Sequence, residues 1–184
     1  METYFFKIVK KQNLNKIEDF LFFNKDFDVN VKNANEETAL ILSSKIGNIP
    51  IVKYLVENGA DINAKDKNGK TALILASKIE IVKFLVSSSH GQAVDINAKD
   101  KNGNTALISA SRIEDFEIVK YLVENGSDVN AINEQGSTAL CIAENYENEE
   151  IISYLENAIK SLKSSIIKDA MKLLKSTKDE EIKS

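Results

Sequence analysis

Asp61-Ile-Asn-Ala-Lys-Asp-Lys-Asn-Gly-Lys-Thr-Ala-Leu-Ile-Leu-Ala-Ser-Lys78 returns in near copies along the 184-residue chain. Thr-Ala-Leu begins at Thr38, Thr71, Thr105 and Thr138, at intervals of 33, 34 and 33 residues. Asp-Ile/Val-Asn keeps step with it, starting at Asp28, Asp61, Asp95 and Asp128. Between them Ile-Val-Lys-Tyr/Phe-Leu-Val occupies Ile51–Val56, Ile81–Val86 and Ile118–Val123. Such a period marks stacked supersecondary units, none of which buries its apolar face alone. The clearest copy shows the logic of one unit. Thr38 suits an N-cap, its hydroxyl accepting from an early helical N–H. Ala39, Leu40 and Leu42 open a first helix, and Gly47-Asn48 ends it where a left-handed residue is needed. Pro50, the only proline, falls in the first turn of a second helix, where a missing N–H costs little. Ile51, Val52, Leu55 and Val56 bury that helix, and Asn58-Gly59 stops it. Asp61–Gly69 then forms a finger with Asn68-Gly69 as its turn dipeptide.

Period and internal order together resemble the ankyrin repeat, whose unit is a β-turn plus two helices and whose consensus opens Thr-Pro-Leu-His-x-Ala. The resemblance implies an all-α, right-curving solenoid with β-hairpin-like fingers, five helix pairs and an extended C-terminal helix. On this register, residues 1–36 form an N-terminal capping repeat and 37–69 a regular one. Residues 70–103 form a repeat with an inserted loop at 87–93, 104–136 another, and 137–163 the last. Residues 164–184 form a helical extension with a frayed tail. The family's Thr-Pro-Leu-His is here Thr-Ala-Leu-Ile three times and Thr-Ala-Leu-Cys once. The histidine that in the family bonds between neighbouring turns is therefore absent, and apolar packing takes over the bracing.

Several departures carry structural expectations. Thr71 to Ile81 is three residues shorter than Thr38 to Ile51, which predicts a shortened inter-helix turn. A longer stretch between Leu85 and Asp95 places His90-Gly91 on an exposed insertion. Glu114 and Glu147 stand where Gly47 stands, so their turns should be altered or slightly strained. Lys7, Lys10 and Lys11 provide the polar groups that a terminal repeat needs. No Gly or Pro occurs from Glu147 to Ser184, while Ile151, Leu155, Ile159, Leu162, Ile166, Ala170 and Leu173 keep a helical spacing. This predicts one helix over Glu149–Lys175 that caps the last repeat and extends beyond it. Its free apolar stripe suits either a plain cap or a pairing surface.

Composition narrows the function. A net charge of −4 lacks the basic face of a non-specific nucleic-acid binder. Cys141 is the one cysteine, which excludes an internal disulfide and fits a reducing compartment. No apolar run approaches a membrane span, and the first eleven residues have no signal-peptide core, so a cytoplasmic location is expected. Cys141 sits where Ile41, Ile74 and Ile108 sit in other repeats, which reads as packing rather than nucleophilic chemistry. His90 has no second histidine with which to hold a metal. The Asp-x-Asn elements lack calcium-loop spacing and read as side chains bonding their own turns. No catalytic constellation, metal or cofactor is expected.

What remains is binding. The resemblance implies a non-catalytic protein–protein interaction module, its protein partner lying in the concave groove of a monomeric array. Counting on from each Thr gives the groove pairs Lys45-Ile46, Lys78-Ile79, Arg112-Ile113 and Asn145-Tyr146. Finger tips add Lys67, Asn68 and Lys70, then Lys101, Asn102 and Asn104, then Glu134, Gln135 and Ser137. An apolar stripe rimmed by cations suits an acidic, apolar-studded partner segment. Alternatives are a structural spacer, or an oligomerising scaffold acting through the C-terminal helix. Leu55–Asn63 and Leu122–Asn130 also match a pattern whose asparagine can be hydroxylated in the family, although asparagine is the structurally preferred residue there as well.

Overall fold

The computed structural model describes residues 1–87 and 92–181, with side chains through residue 172. Among the described residues it contains ten helices and no strand. In order these are α1 (Glu2–Lys10), α2 (Leu14–Phe23), α3 (Ala39–Ile46), α4 (Ile49–Glu57) and α5 (Ala72–Leu75). There follow α6 (Ile79–Ser87), α7 (Ala106–Arg112), α8 (Phe116–Glu124), α9 (Ala139–Asn145) and α10 (Glu149–Glu181). Each odd helix packs on the even helix that follows it. The odd helices also pack in succession, α1 on α3, α5, α7 and α9, and so do α4, α6, α8 and α10. Between the two layers runs a continuous core of Phe5, Leu40, Ile51, Leu55, Leu73, Leu85, Leu107, Ile118, Leu122 and Leu155.

Caps explain why the odd helices start where they do. Thr38, Thr71 and Thr105 each accept from the N–H three residues on, at 3.3 Å, and Thr138 does so at 3.2 Å. Most even helices use amide or carboxylate caps. Asn13, Asn48, Asp115 and Asn148 accept from Lys16, Ile51, Ile118 and Ile151. In α6 the same register position is Lys78, whose ammonium has no lone pair to offer.

That difference corrects the expected geometry of the third repeat. Its missing residues are taken from the helix rather than from the turn. α5 has 4 residues where α3 has 8. The chain leaves it extended at Ala76 (φ −63, ψ 121) and enters α6 directly at Ile79. A three-residue deletion in a helix shifts every later side chain by most of a turn. Leaving the helix early keeps Ile81, Val82 and Leu85 in the core instead.

The fingers close as tight turns, with no strand among the described residues. Asp66 N–H donates to the Lys70 carbonyl at 3.0 Å, and Asp100 to Asn104 likewise. Side chains do the rest. Asp66 Oδ1 accepts from Asn68 and Lys70 N–H, and Asp100 Oδ1 from Asn102 and Asn104 N–H. A carboxylate occupying the donors of the turn leaves too few backbone pairs for a strand ladder. Neighbouring fingers are joined directly. Lys67 N–H donates to Asn35 O (3.2 Å), Lys101 to Asn68 O (2.8 Å) and Glu134 to Asn102 O (2.9 Å).

At the outer loops Asp28, Asp61, Asp95 and Asp128 bond their own turns, as expected. The asparagines do something else. Asn30, Asn63 and Asn97 each donate to a carbonyl of the next loop (Gly59, Ala93, Gly126) and accept from the N–H of Asp61, Asp95 or Asp128. They are clamps between repeats. Asn130 has no such bridge among the described residues. Gln92 and Ala93 of the insertion touch this layer, the Gln92 amide oxygen accepting from Ile62 N–H at 3.1 Å. His90-Gly91 lies outside the described residues.

Glu114 (φ 59) and Glu147 (φ 55) do adopt the left-handed conformation, and so does Gln12 (φ 55). The C-terminal helix is one uninterrupted 33-residue element. Its start packs on α8 and α9. Farther along, Leu162, Ile166, Ile167 and Met171 are exposed. The first repeat's surface is less polar than expected, because Tyr4, Phe22 and Phe23 are exposed.

Candidate functional site

The candidate face is assembled from finger tips and from the C-terminal ends of the odd helices. Three of its four pairs lie at the C-terminal ends of α3, α7 and α9. Lys45, Arg112 and Asn145 are exposed, Ile46 is half-buried, and Ile113 and Tyr146 are 55% and 48% exposed. Other large apolar side chains are exposed too, Phe22, Phe23 and Ile132 among them, so what marks this face is the shared register of Ile113 and Tyr146 and the adjacency of Arg112. Lys78-Ile79 does not belong with them. Because α5 ends early, Ile79 is the first residue of α6 and Lys78 precedes it. The Lys78 stem instead lies over Gly47, where an added Cβ would stand 2.8 Å from Lys78 Cε.

Electrostatics along the row are uneven. Lys45 Nζ is 3.3 Å from Glu37 Oε1, and Glu37 is nearly buried. Burial works against the Glu37 carboxylate, yet hydrogen bonds from Asn33 and Lys45 prevail and hold its pKa below the usual value. Lys45 is therefore already matched by a charge of its own chain. Arg112 is held differently. Its Nη2 donates to Asn104 Oδ1 at 3.3 Å, and the same oxygen accepts from Asn133 Nδ2 at 3.1 Å. Asn104 in turn donates to Asp100. Asn104 is thus a buried tie between fingers rather than an exposed tip, which corrects its expected role. Lys67 Nζ reaches Asn35 of the preceding finger at 2.8 Å. Asn68, Lys101, Asn102, Glu134 and Gln135 are exposed at the tips, while Lys70 and Ser137 are half-buried.

The row also begins one repeat earlier than expected. Gln12 takes the left-handed position of Gly47, and Asn13 the cap position of Asn48. Lys10 and Lys11 therefore correspond to Lys45 and Ile46. The signal in the sequence was Gln12-Asn13 standing for Gly47-Asn48, masked by the loss of the glycine.

The stacked helix pairs, the finger-to-finger bonds and the Thr caps all follow one 33-residue plan. A family model described as ankyrin repeats (3 copies) matches residues 5–100 and again 78–164. The chain belongs to the ankyrin-repeat family. Among curated proteins, none matches it. Ankyrin repeats generally serve as protein–protein interaction modules and are generally non-catalytic. Cys141 in this ankyrin array is half-buried, with Sγ 3.4 Å from Thr138 Oγ1. Among the described residues, no group of three or more His, Cys, Asp and Glu is placed to hold a metal. No helix among them is long and apolar enough to cross a membrane.

Proposed function

We propose that the chain is a non-catalytic, cytoplasmic module that binds an acidic, apolar-studded protein segment along the groove formed by its fingers and odd helices. The observation that carries this reading is the pairing of exposed Ile113 with Arg112 at the end of α7, repeated by exposed Tyr146 at the end of α9, with exposed Lys101 on a finger tip. Large apolar side chains anchor such interfaces, and charges around them steer encounter more than they add affinity. Acidic residues outnumber basic ones here, 28 to 24, so a basic row is a local arrangement rather than an overall excess. The same balance speaks against nucleic acid as the partner.

The test begins with a partner captured from lysate on the intact chain and then purified. An Ile113→Ser, Tyr146→Ala double variant should lose most of the binding, since both side chains are exposed and their loss leaves the core intact. A Lys101→Glu, Arg112→Glu variant should slow association on the order of tenfold at low salt and flatten its salt dependence. Unchanged binding by both variants places the partner elsewhere.

A second reading rests on α10. Leu162, Ile166, Ile167 and Met171 are all exposed along one stretch of helix, an apolar surface that a second copy of this chain would cover by helix pairing. Sedimentation should then show a concentration-dependent dimer, lost when Ser164–Ser184 is deleted. A monomer at all concentrations removes this reading and leaves α10 as the cap of the last repeat.

A further inference from the structure

We infer that the shortened α5 opens an anchor pocket that takes one large apolar side chain of an acidic partner segment. This rests on the groove reading and sharpens it to a single station. Where α3 runs another turn through Ser43-Ser44-Lys45-Ile46, the third repeat turns away after Leu75. The space left beside α7 is a hollow of about 220 Å³. Its walls include Leu73, Leu75 and Ala76 on one side and Ala110 and Ile113 on the other, with Lys70 and Arg112 among its lining residues.

Size selects the occupant. The hollow is several times the roughly 30 Å³ share of one water. It is smaller than the roughly 300–1,000 Å³ of sites that enclose a whole small molecule. One phenylalanine- or leucine-sized side chain fits between those limits. Wall chemistry is mixed: Leu73, Leu75, Ala110 and Ile113 give apolar surface, while Ser77, Ser109, Lys70 and Arg112 supply polar groups, a lining that suits an apolar side chain with a polar or acidic neighbour.

Charge selects its neighbours. Among the described residues neither Lys70 nor Arg112 has an ion-pair partner. Asn104 occupies one guanidinium donor of Arg112, at 3.3 Å, and holds the group in place. An arginine so positioned favours a carboxylate that accepts two donors at once. The occupant is therefore an apolar side chain with an aspartate or glutamate beside it. Ile113 adds apolar surface where the segment would cross. The regular repeat supplies the contrast: Lys45 is answered by Glu37 of its own finger, whereas the corresponding residue for Arg112 is the neutral Asn104.

The probes are two acetylated, amidated pentapeptides, Glu-Asp-Phe-Asp-Glu and the same sequence with alanine for phenylalanine, titrated into the ¹⁵N-labelled full chain. The phenylalanine peptide should bind about 10- to 100-fold tighter, the range expected for burying one such side chain. It should shift the amides of Ala76, Ser77, Ala110 and Ile113. Inserting Ile-Gly-Asn between Lys78 and Ile79 restores the residue spacing of the second repeat and lets α5 run on into the hollow. That variant should bind the two peptides alike. Ser77→Phe, which fills the hollow from an exposed position, should do the same and serves if the insertion fails to fold. Arg112→Glu should weaken both peptides while leaving their ratio in place. A ratio near one in the unaltered chain, a ratio that survives both filling variants, or no binding at millimolar peptide overturns the pocket. If filling changes nothing but Arg112→Glu still weakens both peptides, the groove reading stands without it. If Arg112→Glu has no effect either, both fall.

Discussion

Leu107→Ala lowers the stability of the array by about 2–5 kcal/mol, the range for deleting a buried leucine where neighbours collapse only partly. Leu107 is 1% exposed and lies in α7, which packs on α5, α8 and α9 at once. In a stacked array each unit is held by its neighbours, so weakening a central one also weakens what couples the two ends. Urea unfolding followed by circular dichroism should show a lower midpoint and a broadened or biphasic transition. The equivalent Leu140→Ala should cost less. Leu140 is only half-buried, because α9 packs on α7 and α10 with no further helix pair on its other side among the described residues. Equal effects at the two positions would mean that burial by the next repeat does not set the energetics.

Leu107 was legible in advance because it recurs. Leu40, Leu73, Leu107 and Leu140 share a register, and a position that returns every 33 or 34 residues as leucine identifies the core without any structure. The caps at Thr38, Thr71, Thr105 and Thr138 were legible for the same reason, as was the helix from Glu149. The third repeat was not. A count of residues between Thr71 and Ile81 reveals a deletion but not which element absorbs it, and the helix preference of Ala76-Ser77-Lys78 points away from the extended segment observed. Three-dimensional packing decides, since α6 must still bury Ile81 and Leu85. Lys78-Ile79 therefore reads as part of a row it does not join, and the hollow beside Arg112 has no signature of its own in the sequence. Asn104 is hidden from the sequence for a related reason. A finger residue reads as exposed from its position, while its bonds to Asp100, Arg112 and Asn133 depend on how closely neighbouring fingers approach.

That approach sets the second large effect. Gly103→Ala should cost on the order of 2–4 kcal/mol, combining the left-handed penalty of a side chain with a clash that cannot relax cheaply. Gly103 has φ 74, and a Cβ there would stand 2.9 Å from Asn133 Cα and 3.0 Å from Glu134 N. Both atoms are backbone, so no flexible side chain can move aside. Glu134 N–H is also the donor that joins the next finger to this one, through Asn102 O at 2.9 Å. Relief of the clash therefore stretches that bond and disturbs the neighbouring Asn104–Asn133 tie, which positions Arg112. Gly136 is the internal control. It has the same φ of 74 but nothing within 4 Å of an added Cβ. Gly136→Ala should cost only the conformational share, about 1 kcal/mol. Chemical denaturation of the two variants side by side reads the difference. Matching losses would show that the fingers are not in close contact at Gly103. A larger loss at Gly103, accompanied by shifted Arg112 side-chain resonances, would show that finger packing and the candidate site are one structure.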